Sequence, residues 1–102
     1  MSISFTQILM PDGRQLQTEI DMPQEIETLA HEFIRAGGWF EVEMLDDYRA
    51  VGLTACWDRE DGDNDIAIEV VPNGPEIVSA VERIVRFAHQ QMKEGALGNV
   101  TL

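Results

Sequence analysis

Two hydrophobic periods alternate along this chain, and they divide it into strands and helices. Leu16, Thr18 and Ile20 alternate with Gln15, Gln17 and Glu19, and Phe40, Val42 and Met44 alternate with Glu41 and Glu43. Val51, Leu53, Ala55 and Trp57 alternate with Gly52, Thr54 and Cys56, and Ile66, Ile68 and Val70 with Ala67 and Glu69. A period of two places successive side chains on opposite faces, so each stretch predicts a strand with one apolar face. From Ile3 to Met10 the alternation of Ile3 and Phe5 gives way to Ile8, Leu9 and Met10, which predicts a strand with a bulge or bend near Gln7. Pro11-Asp12-Gly13-Arg14 has hairpin-turn chemistry, Asp46-Asp47-Tyr48 is the next turn, and Asp58 to Asp65 is a polar loop.

Two stretches follow the helical period instead. After Asp21-Met22-Pro23, with Asp21 or Met22 expected at the cap, Ile26, Leu29, Ala30, Phe33 and Ile34 recur on one face, and Gly37-Gly38 ends the run. Asn73-Gly74-Pro75 opens the second helix, which has Ile77, Val81, Ile84 and Ala88 at its centre. Val78, Val85 and Met92 flank that line on one side and Ala80 and Phe87 on the other, an apolar arc of about 180°. A single sheet contact covers less than that, so Phe87 and Ala80 are candidate contacts of a homodimer. The predicted order ββαβββα, with one apolar face or stripe per element, implies an α+β fold. It has two layers, a mainly antiparallel sheet with both helices on one face. Residues 1–95 form the domain and 96–102 a loose C-terminal tail.

Composition narrows the functional classes. Hydrophobic residues make up 44% of the 102, enough for a packed core, which separates the chain from acidic disordered tails. The net charge is −12, from 19 acidic against 7 basic side chains, and such a surface repels phosphate backbones and anionic headgroups. Direct nucleic-acid and membrane binding are therefore not expected, and a basic protein surface is. No signal peptide or membrane-spanning run is read at the N-terminus or within the chain, which gives a cytoplasmic expectation.

Residues that could carry chemistry do not form a recognised motif. One cysteine and two histidines, His31 and His89, supply neither a disulfide nor a structural zinc set. With Gly62 as the sixth position of a calcium loop, Trp57, Arg59 and Ile68 would occupy the first, third and twelfth ligand positions, so a hydrated loop is expected. Glu41 and Glu43 lie on an open sheet face where carboxylates stay hydrated, both histidines are expected on polar helix sides, and Cys56 is surrounded in sequence by acids that discourage a thiolate. No catalytic, cofactor-binding or metal-ligating residue is assigned. What remains is collective: Glu19, Glu41, Glu43 and Glu69 are expected on the sheet face away from the helices, forming an acidic candidate partner-binding face.

The order α-β-β-β-α from Pro23 onward resembles, in topology, the double-stranded RNA-binding domain preceded by a hairpin. That family grips phosphates with a lysine-rich start of its last helix, whereas Pro75-Glu76-Ile77-Val78-Ser79-Ala80-Val81-Glu82 is acidic here, so RNA binding does not carry over. The phrases Met10-Pro11-Asp12-Gly13-Arg14, Phe40-Glu41-Val42-Glu43-Met44-Leu45 and Asn73-Gly74-Pro75-Glu76 are similar to those of small uncharacterised bacterial proteins of prophage or mobile-element type. The resulting expectation is a small acidic, non-enzymatic interaction domain that engages a basic partner or mimics nucleic-acid charge. The alternative is a ligand-binding or enzymatic domain with a pocket between sheet and helices near Trp39, Tyr48 or Trp57.

Overall fold

The computed structural model describes residues 2–9, 12–57 and 65–101, the side chains of 8, 9 and 95–101 excepted. Its elements are β1 (Ser2–Leu9), β2 (Arg14–Asp21), α1 (Gln24–Arg35), β3 (Gly38–Leu45), β4 (Ala50–Trp57), β5 (Asp65–Pro72) and α2 (Glu76–Thr101). The strands form one sheet in the order β2-β1-β3-β4-β5. This is the predicted α+β fold, ββαβββα. All neighbours are antiparallel except β1 and β3, which run parallel because α1 carries the chain over the sheet from β2 to the far side of β1.

Both helices pack on one sheet face and against each other. Ile3, Phe5, Phe40, Val42, Val51, Leu53 and Ala55 meet Ile26, Ala30 and Phe33 of α1 and Ala80, Val81, Ile84, Val85 and Ala88 of α2 in one buried cluster. Phe5, Phe40 and Phe33 stack in succession at 5.3 Å between ring centroids, and Trp57 meets Phe33 edge-on at 6.2 Å. The turn into β3 is tight. Gly37 takes φ +102°, and a Cβ on Gly38 would run into the Phe33 ring, so this turn accepts a side chain only by displacing the core. Trp57 Nε1 donates to the Ala36 carbonyl at 3.1 Å and fastens the end of α1 to the end of β4.

Four local expectations are corrected. β1 pairs continuously with β2 from Ser2↔Asp21 to Leu9↔Arg14, without a bulge near Gln7; the second strand holds it flat. The N-cap of α1 is Pro23 rather than Asp21 or Met22, and its carbonyl accepts the Ile26 and Glu27 amides. The backbone of α2 continues through the stretch expected to be a loose tail from Ala96, with Ala96 and Leu97 both strong helix formers.

The fourth correction is the phase of β5. The irregularity sits here, between Ala55 and Cys56, where Ala55 pairs with Ala67 and Cys56 with Asp65, leaving Ile66 as the extra residue. Beyond it, Val51↔Val71, Leu53↔Glu69 and Ala55↔Ala67 place Val71, Glu69 and Ala67 on the helix side. Ile68 and Val70, expected inside, are each 61% exposed on the open face.

Candidate functional site

The sheet face away from the helices is built from alternate residues of all five strands, and its chemistry divides along the middle. On the β2-β1-β3 side, Glu19 lies opposite Ser4, Asp21 opposite Ser2, and Glu41 opposite Thr54 and, across the parallel pairing, Thr6. Ser2 Oγ donates to Glu19 at 2.9 Å, Ser4 Oγ donates to Gln17 at 2.7 Å, and Gln17 Nε2 donates to Thr6 Oγ1 at 3.1 Å. Glu43, opposite Gly52, is exposed. Among the described strand residues no Lys or Arg shares this face.

Of the four expected acidic residues, Glu19, Glu41 and Glu43 are on this face and Glu69 is not. The bulge turns Glu69 toward α2, where Arg83 grips its carboxylate with Nε at 2.9 and 3.1 Å and Nη2 at 2.8 Å. Asp21 takes the fourth place, as an exposed last residue of β2 rather than a helix cap. The alternation Gln17, Glu19, Asp21 carried that signal in the sequence. The β4-β5 side of the face carries Gly52, Thr54, Ile68 and Val70, and its one charged group among the described strand residues is Asp65 at the start of β5, so most of the acidic surface lies on β1, β2 and β3.

Between the two halves lies a small polar cluster. Trp39 Nε1 donates to Glu41 at 2.7 Å, Trp39 stands opposite Cys56 in the register, and Cys56 Sγ donates to Asp65 Oδ1 at 3.4 Å. Although Cys56 belongs to the open face, as its alternation predicts, it is only 1% exposed. Burial pushes its thiol far above the ordinary range, and the Glu41 carboxylate and the hydrogen bond to Asp65 push it further. A thiol held protonated donates a hydrogen bond and does not attack.

The residues named for an enclosed pocket are kept apart. Trp39 is on the open face, Tyr48 is 69% exposed in the β3–β4 turn, and Trp57 packs in the aromatic stack on the helix side. A groove of about 330 Å³ lies elsewhere, between the outer edge of β5 and α2, walled by Ile66, Ile68, Arg83, Ile84 and Phe87. Its charged groups, Glu69 and Arg83, bind each other.

The two candidate dimer contacts also separate. Phe87 is 46% exposed, whereas Ala80, on the same flank of α2 as Arg83 and Ile84, is fully buried where that flank meets the sheet. His89, expected on a polar side, is buried in the contact between the two helices, with Nε2 3.1 Å from Glu32 of α1, while His31 is exposed. The hydrated loop expected over Asp58 to Asp65, which fails the calcium pattern, lies outside the described residues except for Asp65. Among the described residues no cluster of His, Cys, Asp and Glu could hold a metal ion, and no helix is long and apolar enough to cross a membrane. Compared with known families, curated proteins and solved structures, the chain matches none.

Proposed function

We propose that this protein is a small interaction domain, without catalytic activity of its own, that engages a basic protein surface through the β2-β1-β3 half of its open sheet face. The observation that carries the reading is the grouping of Glu19, Asp21, Glu41 and Glu43 on a flat hydroxyl-rich face to which the described strands contribute no basic side chain. Carboxylates spaced along neighbouring strands present the kind of periodic negative charge that a phosphate-binding protein surface also meets, so a nucleic-acid-binding protein is a suitable class of partner. A cytoplasmic location and a prophage origin belong to the same proposal. Cys56, buried and protonated, supports a binding role over nucleophilic chemistry.

The test separates this face from charge in general. A Lys/Arg-rich peptide is titrated into the isotope-labelled protein and followed by amide chemical shifts. Shifts should map to β1, β2 and β3, weaken as salt is raised, and vanish in the double variant Glu19→Lys, Glu43→Lys. The charge-matched double variant Glu76→Lys, Glu94→Lys, placed on α2, should bind like the wild type. Equal loss in both variants would mean that only total charge matters and would sink the reading.

A further inference from the structure

We propose that β5 is a dimerisation edge, at which a second copy of this chain adds its own β5 antiparallel about a two-fold axis passing beside Glu69. The hydrogen-bond parity of the strand provides the first argument. Asn73 N–H donates to the Arg49 carbonyl at 2.8 Å, and this pair extends the β4–β5 register by one step beyond Ala50↔Pro72. Bonded pairs alternate along an antiparallel ladder, so Val71, Glu69 and Ala67 turn their backbone groups toward β4. Ile68 and Val70 turn theirs outward, and Pro72, at an outward position with no N–H to offer, ends the stretch of this edge that can pair. The residues with unpaired backbone groups are thus the same two whose apolar side chains are 61% exposed.

A self-complementary arrangement follows. With the axis beside Glu69, Ile68 of each copy lies opposite Val70 of the other, and each pair exchanges both its N–H and C=O bonds. Four apolar side chains then form one strip on the open face. The axis is perpendicular to the sheet, so both α2 helices stand on the same side, flanking the junction with Phe87 and Arg83 turned into the groove that already runs along β5. The usual edge-protecting features lie only at the two ends of β5, Asp65 and the bulge at one and Pro72 at the other, and Ala67–Val71 between them carries neither lysine nor proline.

Charge decides between a second copy and a basic peptide. Two chains at −12 repel, but screening over about 8–10 Å at physiological salt limits the cost to groups near the contact. Beside the axis those groups are Glu69 and Arg83, which neutralise each other within each copy and across the axis make an alternating set of four charges, while Asp65 stands at the far end of the strand. Beside the axis a basic peptide would find only a carboxylate that Arg83 already holds, whereas a second copy meets the apolar Ile68 and Val70 there. The exposed parts of Ile68, Val70 and Phe87, roughly 100 Å² each, together with the paired backbone bring the contact to the order of 1,000 Å² over both partners, the lower end for specific association. Micromolar affinity is the expected strength.

Light scattering and sedimentation of the wild-type chain from one to several hundred micromolar should show the mass rise from 11.5 kDa to twice that value. Val70→Lys and Phe87→Glu, both at exposed positions, should each weaken the dimer about 100-fold while leaving circular dichroism and melting unchanged, and Glu43→Lys should leave the dimer intact. In a Cys56→Ala background, Glu69→Cys should form an intermolecular disulfide on mild oxidation, since opposed residues in a non-bonded antiparallel pair approach closely enough. A wild type that stays monomeric throughout, a dimer indifferent to Val70→Lys, or a dimer that Glu69→Cys fails to lock would each overturn the proposal.

Discussion

Cys56 is the residue whose environment most changes its chemistry. Its thiol is raised by burial, by Glu41 and by the bond to Asp65, so the folded state keeps the proton through the range in which an unfolded cysteine releases it, from about pH 8.5 upward. The unfolded chain then binds fewer protons than the folded one, and stability falls as pH rises. Wild-type unfolding free energy should drop above pH 8.5 by up to about 1.4 kcal/mol per pH unit from this group, and Cys56→Ala should remove that part of the slope. Equal slopes in chemical denaturation of the two proteins would contradict the assignment. The turn at Asp46, Asp47 and Tyr48 is unusual in another way: all three take positive φ, at 47°, 56° and 68°, and Asn73 Nδ2 holds the Tyr48 carbonyl at 2.9 Å. Asp tolerates that conformation better than Tyr, so the turn was legible from its acids, but the part played by Asn73, which lies across the chain, was not.

At the scale of elements, α2 shows how a wide apolar arc is shared out. Ile77, Val81, Ile84 and Ala88 face the sheet as the periodicity predicts, and of the two opposite flanks one buries Val85 and exposes Val78 while the other buries Ala80 and exposes Phe87. Arg86 adds a tie to Glu25 of α1 at 3.3 Å while holding Glu82 of its own helix at 3.2 Å. Ile84→Ala should therefore cost about 2–5 kcal/mol of stability, and Phe87→Ala less than about 1 kcal/mol in thermal melts at low micromolar concentration. Similar losses would mean that Phe87 belongs to the core of a single chain. The acidic side of the sheet was mostly legible, because Glu19, Glu41 and Glu43 sit in strands of clean alternation. Glu69 sits in the one strand interrupted by a bulge, and a single extra residue sends every later side chain to the other face.

For the whole molecule, 19 carboxyl groups against 7 cations produce a self-repulsion that no single ion pair offsets. Adding sodium chloride screens it, so the melting temperature should climb between low salt and half-molar salt by on the order of 5 °C, equivalent to about 1 kcal/mol. A fall instead would show that the Arg83–Glu69 and Arg86–Glu25 pairs outweigh the general repulsion. Association at β5 and screening both grow with salt, so this measurement belongs at the lowest usable protein concentration.

By itself the sequence determined the number, type and order of the elements and the apolar side of β2, β3 and β4, because hydrophobic periodicity is a local property written every two or 3.6 residues. Only the tertiary structure decided what depends on partners distant in the chain. The pairing of β1 with β3 set the strand order, and the ladder with β4 set the phase of β5 and gave Glu69 to Arg83. The packing of α1 on α2 buried His89, and the packing of α2 on the sheet buried Ala80 and left Phe87 exposed. A one-residue bulge leaves almost no mark on composition, yet it reverses a strand face, and that reversal moved the apolar strip to the edge where the two copies are proposed to join.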